Sequence, residues 1–74
     1  MKENLIKIKS FDFALQSIKV YKMLLEKKEF ILSKQFIRSA TSVGANVQEA
    51  SAGISKKDFI NKMSIASKEA RETL

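Results

Sequence analysis

The stretch Ser33-Lys34-Gln35-Phe36-Ile37-Arg38-Ser39-Ala40-Thr41-Ser42-Val43-Gly44-Ala45-Asn46-Val47-Gln48-Glu49-Ala50 reads as a helix whose middle, Ser39 to Ala45, is built of small residues. Phe36, Ala40, Val43, Val47 and Ala50 recur at three- and four-residue steps, the period of one helical face. Ser33 is a candidate N-cap, and Gly53 fits a C-terminal stop. Gly44 in a helix interior costs about 1 kcal/mol relative to alanine. Its position between Ser39 and Ala45 predicts the close approach of another helix.

Helical signals continue on both sides. The first segment starts near Ser10, a plausible N-cap, with Asp12 facing the positive helix end. Phe11, Ala14, Leu15, Ile18, Tyr21 and Leu25 form one apolar face, and Phe13, Val20 and Leu24 fall on nearly the opposite side. Two strips predict a helix packed on two sides, by its own bundle and by a neighbouring subunit. The pattern is lost around Glu26-Lys27-Lys28-Glu29. The third segment opens with Ser55 and Asp58, a near relative of the capping box, followed by Phe59, Met63, Ala66, Ala70 and Leu74. No stop signal follows. The expectation is one all-α domain over 1–74, an antiparallel up-down bundle holding three helices of four. A fourth helix or a partner chain would complete its C-terminal side.

The composition excludes most chemistry. Cysteine and histidine are absent, which removes disulfides, thiolate zinc sites and nucleophilic triads. Gly44 and Gly53 do not make a phosphate loop. Glu69 and Glu72, one turn apart, read as surface charge. The chain is therefore expected to be no enzyme and to use no cofactor or metal. A core of this size gains only a few kcal/mol, which leaves oligomerisation as the reinforcement. The N-terminus lacks a signal-peptide core, and no apolar run reaches membrane-spanning length. A cytoplasmic protein without a membrane partner is expected.

The net charge of +6 favours an acidic partner such as nucleic acid, or else simply keeps the chain in solution. On the third segment Lys57, Asn61, Ser64, Lys68 and Arg71 form a stripe opposite the apolar face. Lys19, Lys22 and Lys27 extend the basic set on the first. These residues read either as phosphate contacts or as an ordinary solvated face. Tyr21 and the phenylalanines stand at core spacing, as packing residues rather than base-stacking platforms. Arg38, Ser42, Asn46 and Glu49 share one arc of the second helix. Arg38 and Glu49 lie roughly 16 Å apart along it, so each needs a partner on another helix or subunit. That arc is an interface row or a polar layer that fixes bundle register.

The segment Gln35–Ala50 resembles the central helix of the 23S rRNA intervening sequence proteins. Lys56–Ile60 and Ile65–Leu74 resemble that family's third helix. The resemblance implies an up-down four-helix bundle that assembles into a ring, typically a pentamer. A related branch is the accessory subunit of diversity-generating retroelements, which binds a reverse transcriptase and its RNA through a basic surface. Arg38, Ser42, Asn46, Glu49 and Glu72 occupy positions where the family keeps polar residues, and carry over as structural or interface residues. Family members continue through a longer third helix and a fourth, which this sequence lacks. The implied function is a non-enzymatic homo-oligomer that binds RNA or a ribonucleoprotein. The alternative is a purely protein-directed assembly subunit, such as one recruiting a reverse transcriptase.

Overall fold

The computed structural model describes residues 2–52 and 55–73, with side chains from residue 5 to 50 and 55 to 73. Three helices follow in order: α1 (Lys2–Glu26), α2 (Phe30–Ala52) and α3 (Lys56–Glu72). They pack as an antiparallel bundle of 40 × 19 × 18 Å, and no strand occurs among the described residues. No helix there is long and apolar enough to cross a membrane.

Helix α1 starts well before Ser10, at Lys2. No proline or glycine interrupts 2–26, and the straight-chain residues there favour helix. Ser10 is not a cap; it is buried at 6% exposure in the helix interior. Ser17, seven residues on, is also buried, and its hydroxyl donates to the Phe13 carbonyl at 2.8 Å. Both serines are small enough to let α2 come close, and the local bond satisfies a hydroxyl that burial would otherwise strand.

Helix α1 ends in a tight three-residue turn. The Lys28 amide donates to the Leu25 carbonyl and the Glu29 amide to the Leu24 carbonyl, both at 2.9 Å. Lys28 sits between them at φ 61°, in the left-handed region. This pair of bonds is the Schellman motif, which satisfies the last carbonyls of a helix.

Helix α2 begins at Phe30, one turn earlier than its serine suggests. Ser33 is inside the first turn, 1% exposed, with its hydroxyl bonded to the Phe30 carbonyl at 2.8 Å. The buried face also differs from the apolar stripe. Ser33, Ala40, Gly44, Ala45 and Gln48 are buried, whereas Val43, Val47 and Ala50 are exposed. Small residues win the inner face because they permit close helix packing, and the larger valines are displaced to a flank. Phe13 of α1 lies on that flank: its ring is 3.5 Å from where a Gly44 Cβ would be. Phe13, the first residue of the second apolar strip of α1, therefore lies against α2 within the same chain.

Helix α3 follows its sequence signals. The Ser55 side chain accepts from the Asp58 amide at 3.1 Å, and Phe59, Met63 and Ala70 are buried. Ala45, Phe59 and Met63 form the centre of the core, with Ala14, Ile18 and Ile37 packed around them. Gly53 and Leu74 lie outside the described residues.

Candidate docking groove

Along one side of the bundle, α1 and α3 diverge and leave an apolar groove of about 570 Å³. Ile8, Phe11, Leu15 and Ile18 form its α1 wall, and Phe59, Met63 and Ala66 its α3 wall. Phe11 and Ile8 are each 66% exposed. The face predicted to be core on α1 is thus half buried, at Ala14, Ile18 and Tyr21, and half open to solvent. Among the phenylalanines only Phe59 is buried; Phe11, Phe13 and Phe30 are exposed. Lys7 and Lys62 stand at the rims, and the Gln48 side chain reaches the groove from α2.

A second apolar surface lies on the α1–α2 flank, where Ile6, Phe13, Val43 and Val47 surround a shallower pocket of about 300 Å³. The chain as a whole, elongated at 40 × 19 × 18 Å, exposes 5597 Å² of accessible area. That is about 1,000 Å² more than the ~4,600 Å² typical of a folded monomer of 8.4 kDa. The excess is on the scale of one side of a specific protein interface, about 800 Å².

The polar arc of α2 is exposed at Arg38, Ser42, Asn46 and Glu49. Arg38 and Ser42 line a shallow cleft beside Ile60 and Ser64 of α3. Glu49 does meet another helix: its Oε2 accepts from the Lys56 amide at 3.1 Å. It thereby satisfies one of the free N–H groups at the start of α3, two residues before the one taken by Ser55. Glu72 is exposed near the end of α3, and Gly44 is buried against the Phe59 ring.

Lys57 and Lys68 are exposed on α3, on the side away from Phe59 and Met63. Arg71, placed by periodicity on the same stripe, turns to the flank, where its Nη1 donates a long 3.4 Å bond to the Tyr21 hydroxyl. Tyr21 is 3% exposed, so this bond gives a buried phenol its partner. Lys19 is exposed on α1, Lys22 is half-buried, and Lys27 is exposed in the turn. Lys7, Ile8, Gln48 and Lys62 are the groove residues that periodicity did not single out. The place of Gln48 is legible only once the inner face of α2 is known.

Among the described residues no group of three carboxylates is placed to hold a metal ion. The chemistry on offer is burial of apolar surface, with lysines at its margins. No curated protein and no solved structure matches the chain. Across residues 2–74 it matches the family model described as 23S rRNA-intervening sequence protein, and it belongs to that family.

Proposed function

We propose that this chain is a non-enzymatic docking and assembly subunit. The α1–α3 groove takes a helix, which completes a four-helix arrangement, and the Ile6–Phe13–Val43–Val47 flank joins copies into a homo-oligomer, a ring by family resemblance. The observation that carries this reading is the set of large apolar side chains left exposed on the two surfaces, Ile8, Phe11 and Leu15 on one and Phe13, Val43 and Val47 on the other. Burial of that surface at about 25 cal/mol per Å² is the largest stabilisation open to so small a core.

Size-exclusion chromatography with light scattering tests it. A mass that is a multiple of 8.4 kDa, reduced to one chain by Val43→Lys, is the expected result. A single-chain mass at every concentration would overturn it.

A second reading adds RNA contact to assembly. It is favoured by Lys57 and Lys68, both exposed on the outward side of α3, and by a net charge of +6. Repetition of that row around an oligomer would multiply weak phosphate contacts into a continuous basic surface. The family name refers to 23S rRNA, which makes structured RNA the first anion to test. A shift in mass on addition of total cellular RNA is the expected result for this reading, and an unchanged mass argues for assembly through protein contacts alone.

A further inference from the structure

The α2–α3 side of the bundle carries a cleft whose free polar groups are of one kind. Arg38 and Ser42 of α2 and Ser64 of α3 line about 300 Å³ of it, beside Ile37 and Ile60. Deeper in, Thr41 and Ser67 donate their hydroxyl protons within their own helices, to the Ile37 carbonyl at 2.6 Å and the Ser64 carbonyl at 3.1 Å. Arg38, Ser42 and Ser64 are exposed at the mouth, and no carboxylate lines the cleft. Glu49, the acid on the same arc of α2, accepts from the Lys56 amide instead, roughly 16 Å along the helix from Arg38. The cleft shares no residue with the α1–α3 groove or the Phe13 flank, the two surfaces assigned to assembly.

We propose that this cleft holds a phosphate of an RNA backbone, with the Arg38 guanidinium as its fork and the Ser42 and Ser64 hydroxyls as further donors. This rests on the RNA reading above and names the group that grips the phosphate. Three observations select that ligand. A planar guanidinium beside two hydroxyls offers donors only, which suits an anion with several oxygens. On α3, Lys57 and Lys68 flank Ser64 at seven and four residues, roughly 10 and 6 Å along the helix, and both are exposed. A row of cations answers a repeating polyanion better than a single carboxylate. Asp58 stands beside Lys57 in the neighbouring cleft, so the centre of the row is Arg38, where no acid competes. Ile60, 46% exposed, gives the ribose an apolar shelf at the same place.

The test titrates a fluorescent RNA stem-loop against the full chain over a range of salt, since phosphate contacts do not depend on sequence. Arg38→Lys keeps the charge and loses the fork. It is expected to weaken binding roughly tenfold with the salt slope unchanged, the scale of one charge-assisted hydrogen bond. Arg38→Gln is expected to weaken it further and to flatten the slope of log affinity against log salt by about 1. Lys7→Ala, on the α1 side and outside the cleft, is expected to change the affinity by less than Arg38→Lys does. Urea midpoints and masses by light scattering are expected to match the parent chain in all three, because Arg38 is exposed and outside the assembly surfaces.

Arg38→Lys binding as tightly as the parent would overturn the fork while leaving RNA contact intact. Absence of binding by the parent chain, or binding indifferent to salt, would overturn both. A smaller oligomer for Arg38→Gln would place Arg38 at a subunit contact, and would also sink the phosphate site.

Discussion

A methyl group on Gly44 would sit 2.5 Å from Cζ of the Phe59 ring. The Phe59 ring of α3 is thus packed directly onto the Gly44 backbone of α2, with Phe59 only 8% exposed. Gly44→Ala brings two opposed effects. Overpacking costs about 1–3 kcal/mol, and the better helix propensity of alanine returns about 1 kcal/mol. The expected net loss is about 1 kcal/mol in urea unfolding, and Gly44→Leu is expected to detach α3. A stabilised alanine variant would show that the Phe59 ring is free to move aside.

The start of α3 is held by two residues far apart in sequence. Ser55→Ala removes the acceptor for the Asp58 amide and is expected to cost about 1 kcal/mol, the usual cost of losing an N-cap. Glu49→Ala strands the Lys56 amide. Its loss is set at about 0.5 kcal/mol, since Glu49 is exposed and water replaces part of the bond. The two side chains serve different N–H groups, so the double variant should lose about the sum. A loss confined to Ser55→Ala would remove Glu49 from the cap.

Lys28 occupies a left-handed position, φ 61°, without being glycine. Lys28→Gly removes the clash of a Cβ with its own carbonyl and is expected to raise stability by about 0.5–1 kcal/mol. The check is a higher urea midpoint with an unchanged slope. A lower midpoint would mean that the lysine side chain contributes contacts that outweigh the strain.

Phe11 and Phe59 are the same residue type on two sides of one groove, with 66% and 8% exposure. Phe59→Ala is expected to cost about 3–5 kcal/mol, enough to unfold a domain this small. Phe11→Ser should change unfolding by less than about 0.5 kcal/mol and yet weaken association, measured by sedimentation. Equal destabilisation by both would mean that Phe11 is core in solution and the groove is closed.

For RNA, the expected signature lies in the salt dependence. Lys57→Ala and Lys68→Ala should each flatten the slope of log affinity against log salt by about 1. An affinity that does not change with salt would remove phosphate contact as the basis of any binding.

The three helices were legible because apolar periodicity belongs to the sequence itself, and the start of α3 because Ser55 and Asp58 stand at cap spacing. Two other starts were misread for one reason. Serine is favoured at an N-cap and is also small enough for a helix seam, and Ser10 and Ser33 are seam residues. The inner face of α2 was misjudged because Val43 and Val47 look more hydrophobic than Gly44 and Ala45. Close packing selects size before hydrophobicity when two helix backbones approach. Burial of Gln48 depends on how α1 and α3 cross, a non-local relation that no spacing along α2 records. The open face of α1 was legible as a strip, but not as a groove.

The three-residue turn around Lys28 also bears on the order in which the molecule forms. It joins α1 and α2 into a hairpin whose contacts span a short loop, so little chain entropy opposes its closure. The α1–α2 hairpin therefore closes before the α1–α3 contacts, which span a far longer stretch of chain. Changes at Lys28 should then speed or slow refolding, while changes at Phe59 act mainly on the rate at which the finished bundle comes apart.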